Sequence, residues 1–205
     1  MTSVIDSPYK GSGQLTRQQF LFYEMRTTAK LMVEGMDDGQ ILGRIVGENL
    51  YQYPTEKTIK QIALGCIARL RGLKDERLVS EIANGDNETA KQCCLYAMMK
   101  QYRLIWDFMI TVIGNKYRQQ DYSFSRMDIN AFFLQLQEQD DLVASWSEST
   151  VKRIEMIIAK LLIDNGYVNN RKDTRLQPVL ISRILENTLR ENGDAVALPA
   201  FCCLN

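Results

Sequence analysis

The 205-residue chain contains no histidine. That absence removes the commonest general base and the usual partner of a nucleophilic serine or cysteine. It also removes the imidazole ligand of Cys/His metal sites. The formal net charge is zero, from 25 basic and 25 acidic residues, so any attraction to a polyanion has to be local. Long apolar runs are missing as well. The most apolar stretch, around Leu104 to Ile113, carries Asp107 and is too short to span a bilayer. The first residues (Ser3, Asp6, Ser7, Lys10, Ser12) are polar, unlike an apolar export segment. No Gly-x-x-x-x-Gly-Lys-Ser/Thr loop occurs, which excludes nucleotide hydrolysis through that device. Glu-x-Lys and Asp-x-Lys, the tripeptides often found in metal-dependent nucleases, do not occur either. Together these absences predict a cytoplasmic protein, outside the membrane, that binds rather than catalyses and needs neither cofactor nor metal.

Five cysteines are present, at Cys66, Cys93, Cys94, Cys202 and Cys203. Two adjacent pairs and a singleton do not form a Cys-x-x-Cys site, and an odd count suits free thiols in a reducing cytosol. Asn87-Glu88-Thr89 fits a glycosylation sequon, and Cys202 stands fourth from the end like a prenylated cysteine; both are read as chance.

The patterning is that of helices. Residues 1–14, with Pro8, Gly11 and Gly13, read as a loose arm. Helical spacing then runs from Thr16 to Glu34 through Phe20, Met25, Ala29, Met32 and Val33, and Gly35 stops it. Asp37 or Asp38 caps a second helix with Ile41, Leu42, Ile45 and Val46 inward. After Tyr51 to Pro54, Thr55 caps a third helix to Leu73, with the stripe Ile59, Ile62, Ala63, Cys66, Ile67, Leu70 and Leu73. A short helix from Asp75 to Ala83 follows. A long one, about Glu88 to Arg118, is rich in Met and aromatic residues and reads as a central packing helix that Gly114 bends or ends. Beyond Asp121 the spacing predicts helices over Ser125 to Gln139, Asp140 to Ala144 and from Ser147, Ser149 or Thr150 to Asp164. Two short extended runs, Tyr167-Val168 and Leu176 to Leu180, flank a basic turn, and Ser182 caps a last helix to Glu191.

Two basic constellations stand out. Residues 125–181 run helix, short helix, turn, longer helix, two-stranded ribbon, the layout of a winged helix-turn-helix. Val151, Ile154, Ile158 and Leu161 would face the core. Ser149, Lys152, Arg153, Met156 and Lys160 would face outward into a DNA major groove, with Arg171, Lys172 and Arg175 reaching phosphate. The second is on the third helix, where the stretch from Lys57 to Lys74 holds Lys57, Lys60, Arg69, Arg71 and Lys74 and no acid; Lys57, Lys60, Gln61 and Arg71 share its exposed side. With the helix before it, this one could form another helix-turn-helix-like pair. The expected architecture is mainly α, with a flexible arm (1–14), a helical N-terminal domain (15–120) and a winged-helix-like C-terminal domain with a short β-ribbon (121–205). Double-stranded DNA is the expected partner. A protein-docking adaptor without intrinsic DNA binding and an RNA-binding helical protein are the alternatives.

Several strings are more specific than any fold signal. They include Phe20-Leu21-Phe22-Tyr23-Glu24-Met25-Arg26-Thr27, Glu48-Asn49-Leu50-Tyr51-Gln52-Tyr53-Pro54-Thr55-Glu56-Lys57 and Leu95-Tyr96-Ala97-Met98-Met99. Trp106-Asp107-Phe108-Met109, Trp146-Ser147-Glu148-Ser149-Thr150-Val151-Lys152 and Ala197-Leu198-Pro199-Ala200-Phe201 complete the set. Along nearly its whole length the chain resembles the BrxA family of the bacterial BREX phage-exclusion systems. The resemblance implies a mostly helical cytoplasmic protein that binds double-stranded DNA and acts beside other BREX proteins, among them a methyltransferase, an ATPase and a phosphatase-like protein. It implies no catalytic residues.

Overall fold

The structure, a computed structural model, describes residues 7–204. It is mainly helical, and its helices group into two compact units, residues 20–101 and residues 7–19 with 102–204.

In residues 20–101 the helices are α1 (Phe22–Val33), α2 (Asp38–Gly47), α3 (Glu56–Leu73), α4 (Glu76–Asn84) and α5 (Asn87–Gln101). Asp37, of the two expected candidates, caps α2, Thr55 caps α3 as expected, and Asp75 adds a cap on α4. Asp37 and Gln40 form a reciprocal capping box on α2, and Thr55 and Asp75 accept backbone N–H groups at the starts of α3 and α4. The whole expected stripe of α3 is buried, and α3 packs on α1, α2 and α5. Helix α5 is buried over most of its surface, through Ala90, Cys93, Cys94 and the run Leu95 to Met99. The core also encloses polar groups. The Tyr53 hydroxyl donates to Glu24 Oε1 (2.6 Å), and Thr28 Oγ1 donates to the Glu24 carbonyl (2.7 Å). Arg69, counted among the basic residues of α3, is 1 % exposed and belongs to this interior.

The long helix expected from Glu88 to Arg118 is not continuous. Tyr102 adopts an extended backbone (φ −124°, ψ 106°) and separates α5 from α6 (Arg103–Phe108). Residues Met109–Gly114 then continue as a π-helix into α7 (Asn115–Arg118). The apolar pattern runs straight through Tyr102, so periodicity could not show the break. The side chain anchors it instead: the Tyr102 hydroxyl donates to Gln18 Oε1 (3.0 Å).

The second unit adds α8 (Arg126–Gln139), α9 (Asp141–Ala144), α10 (Glu148–Asp164) and α11 (Arg183–Glu191), with single 3-10 segments at Ser12–Thr16 and Ala195–Phe201. Residues 1–6 of the expected arm lie outside the described residues. Residues 7–16, in contrast, are fastened down: Ser7 Oγ donates to Asp140 Oδ1 (3.0 Å), the Tyr9 hydroxyl donates to Asp107 Oδ2 (2.9 Å), and Leu15 is fully buried.

The β-ribbon is corrected too. Among the described residues there is no strand, and Ser123 meets Arg175 in an isolated antiparallel bridge. Thr174 and Leu176 pair with the segment entering α8, through Phe124 N–H to Thr174 O (2.9 Å) and Leu176 N–H to Tyr122 O (2.7 Å). Gln177 N–H donates to Tyr167 O (2.8 Å) between the two runs expected to form the ribbon, without making them strands. Pro178 has no N–H to extend such a ladder, and the turn between the runs is wound tight by its own side chains, as described below. The winged-helix layout therefore lacks its wing.

The Ala195–Phe201 segment closes this unit by packing on the π-helix. The Tyr167 hydroxyl donates to the Ala200 carbonyl (2.9 Å). A Cβ on Gly114 would stand 3.3 Å from Ala200 N and 3.4 Å from Met109 O. Gly114→Val is therefore expected to lower stability by about 1–3 kcal/mol, through overpacking of this contact. Gly43→Ala, on an open face of α2 with nothing within 4 Å, should raise stability by roughly 0.5–1 kcal/mol. Urea denaturation of both variants would read the two opposite signs.

Candidate nucleic-acid interface

Ser147 caps α10, accepting from Thr150 N–H (3.2 Å). Ile154, Ile157, Ile158, Leu161 and Leu162 are buried, while Val151 is half-buried. All the residues expected to point outward do so: Ser149, Lys152, Arg153, Met156 and Lys160 are exposed. Lys152 donates to Glu148 (2.6 Å) and Lys160 to Asp164 (2.7 Å), each four residues away. Exposed pairs of this kind are worth only about 0.3–0.5 kcal/mol and exchange readily for a phosphate. Arg153 has no ion-pair partner among the described residues.

The turn after α10 shows its cations for a definable reason. The Asp173 carboxylate accepts Asn169 N–H (2.7 Å) through one oxygen and Asn170 Nδ2 (2.7 Å) through the other. These bonds hold its pKa below the ordinary carboxylate value. Lys172 N–H in turn donates to Asn170 Oδ1 (2.9 Å). The loop is thus wound on its own polar groups and leaves Arg171, Lys172 and Arg175 exposed. Arg175 stacks over the Tyr122 ring at 5.7 Å.

The outward side of α10 is not uniform. Ser149, Arg153 and Lys160 form one polar stripe. Lys152, Met156, Ala159 and Ile163 recur at helical spacing on the adjacent stripe, where they wall a pocket of about 400 Å³ with Phe124, Ile129 and Val168. Lys152 and Arg171 also line it. Glu155, 8 % exposed, is held by Arg126 Nη2 (3.2 Å). Neither Arg126 nor this pocket was foreseeable from periodicity, which says which residues of α10 are buried but not that the 168–173 turn folds beside it.

The other expected set lies in residues 20–101. Lys57 and Lys60 are exposed on the first turns of α3. Arg71 is held by Asp38 through Nε (3.0 Å) and Nη2 (2.8 Å). Since Arg69 is buried, the five cations counted there reduce to Lys57, Lys60 and, at the far end of the helix, Lys74.

Comparison with known proteins identifies the family. The BrxA family model matches residues 8–193. A BREX protein BrxA from Bacillus cereus is 32% identical over 195 residues, covering 94% of this chain and 96% of that protein. BREX proteins BrxA from Paramagnetospirillum magneticum and Escherichia coli are 28% and 26% identical, covering 83% and 93% of this chain and 85% and 89% of theirs. A crystal structure of an uncharacterized protein from Magnetospirillum magneticum shares the fold, with a TM-score of 0.77 and 24% identity over 95% of this chain and 98% of that one.

Among the described residues no three Cys, Asp or Glu side chains are grouped to hold a metal ion, and no helix is long and apolar enough to cross a membrane. The thiols in the core are disfavoured as nucleophiles. Burial pushes Cys66 and Cys93 each up to about 12 and raises Cys94 as well, because the thiolate loses its hydration. Cys202 and Cys203 are only half-buried. With Ellman's reagent at pH 8, Cys202 and Cys203 should react first in the native protein, and Cys66, Cys93 and Cys94 only on unfolding. Rapid reaction of all five in the native state would contradict that division.

Proposed function

The chain belongs to the BrxA family, and on that premise we propose that it is a non-catalytic, duplex-DNA-binding component of a bacterial BREX phage-defence system. The observation that carries the DNA reading is the set of exposed cations on α10 and the turn after it. There the nearby acids are engaged elsewhere: Glu155 by Arg126 and Asp173 by the turn's own amides. Arg153, Arg171 and Lys172 are left without ion-pair partners among the described residues. Lys152 and Lys160 are tied only by weak surface pairs, and Arg175 lies beside them in sequence. The order α8, short α9, turn, α10 is that of a helix-turn-helix, without the wing, and offers α10 to the major groove. Backbone phosphate is the natural target of the turn's arginine and lysine. Lys57 and Lys60 form a smaller second surface, to which Arg71 contributes only by leaving Asp38. The protein acts in the cytoplasm in this reading, with other BREX proteins as its partners. The names of the relatives support that assignment.

The test is fluorescence anisotropy with labelled duplex DNA across a salt series. Binding should fall linearly on logarithmic axes, each phosphate contact contributing about 0.9 to the slope. The double variant Arg153→Glu, Lys160→Glu should bind at least tenfold more weakly at low salt and lose roughly two from the slope. Unchanged affinity would remove α10 from the interface and turn attention to Lys57 and Lys60. No binding by the unaltered protein, even at low salt, would refute DNA binding.

A further inference from the structure

We infer that the pocket between the start of α8, the Met156 side of α10 and the 168–173 turn is a docking site for a segment of another protein. That segment carries a bulky apolar side chain beside one or more carboxylates. The apolar part of the argument is the lining. Phe124, Ile129, Met156, Ala159, Ile163 and Val168 enclose about 400 Å³, in the range of sites that bury an organic group. Met156 remains 51% exposed, and an exposed, adaptable thioether at a pocket mouth is characteristic of surfaces that receive apolar side chains. The charged part is complementarity. The two carboxylates of the pocket are already engaged, Glu155 by Arg126 (3.2 Å) and Asp173 by Asn169 N–H and Asn170 Nδ2 (2.7 Å each). Arg171, which also lines the pocket, has no ion-pair partner among the described residues, and Lys152 is held only by the exposed Glu148. A carboxylate from outside completes that imbalance.

A DNA duplex fits this pocket poorly. Its only large apolar projection toward a protein is the thymine methyl, and its backbone is hydrated and charged. Lys152 and Arg171 serve both readings, whereas Arg153 and Lys160, on the adjacent stripe of α10, belong to the DNA reading alone.

A random dodecapeptide display library panned against the full chain tests it. Enriched peptides should pair Trp, Phe, Leu or Met with Asp or Glu, and a synthetic copy should bind one to one. Met156→Glu, at an exposed position that leaves the core intact, should weaken that binding at least tenfold, and Arg171→Glu several-fold. Arg153→Glu should leave it unchanged. No enrichment, enrichment of basic peptides, or binding indifferent to Met156→Glu and Arg171→Glu would overturn the inference. So would displacement of the peptide by duplex DNA whose own affinity falls at least tenfold with the uncharged Met156→Ala, since the pocket would then belong to nucleic acid. Loss of DNA binding in the Arg153→Glu, Lys160→Glu variant, with peptide binding kept, would separate the two surfaces.

Discussion

The Asp173 carboxylate decides what the far end of α10 presents. By accepting from Asn169 and Asn170 it winds residues 169–173 into a closed turn rather than the tip of a hairpin. Two results follow. Leu176 is released to pair with Tyr122 at the entry to α8, so no ribbon forms, and the turn stands beside α10, where Val168 and Arg171 become pocket walls. An acid that a charge count sets against the basic residues is thus the residue that displays them. Its negative charge is directed at amide donors inside the loop, and Arg171 and Lys172 are left facing solvent.

The same accounting separates the two basic surfaces. On α3, which carries no acid after Glu56, the structure withdraws Arg69 into the interior and ties Arg71 to Asp38 from the neighbouring helix. On α10, mixed in sequence, the acids are either weakly paired or turned elsewhere. Local net charge favours α3, yet among the described residues the cations without a close carboxylate are Lys57, Lys60 and Lys74 there and Arg153, Arg171 and Lys172 on α10 and the turn after it. Solvation is the reason, because a cation held by a close carboxylate or enclosed in protein contributes little field to a surface.

What the chain discloses before folding follows from which interactions are local. The α3 stripe, the cap at Thr55, the placing of the α2 cap at Asp37 or Asp38, and the inward and outward sides of α10 are set by residues within a turn or two of each other, and all were legible. Family membership was legible from strings such as Trp146 to Lys152. Contacts between distant residues were not. The break at Tyr102 rests on Gln18, the anchoring of residues 7–16 on Asp107 and Asp140, and the pocket on a turn brought beside α10 by Leu176 and Tyr122. Apolar spacing carries no trace of such partners, since a side chain that anchors a break looks the same in sequence as one that continues a helix.

The unit formed by residues 7–19 with 102–204 encloses the other in the order of synthesis. Residues 20–101 complete their own set of contacts as one continuous stretch and can close as soon as that stretch has left the ribosome. Ser7 and Tyr9 must wait for Asp140 and Asp107, and the π-helix for Pro199 and Ala200. At roughly 5–20 residues per second, the segment before α1 remains unpaired for several seconds while its partners are made. The contact between the π-helix and Ala195–Phe201 is therefore a late event that becomes possible only after residue 201 is in place.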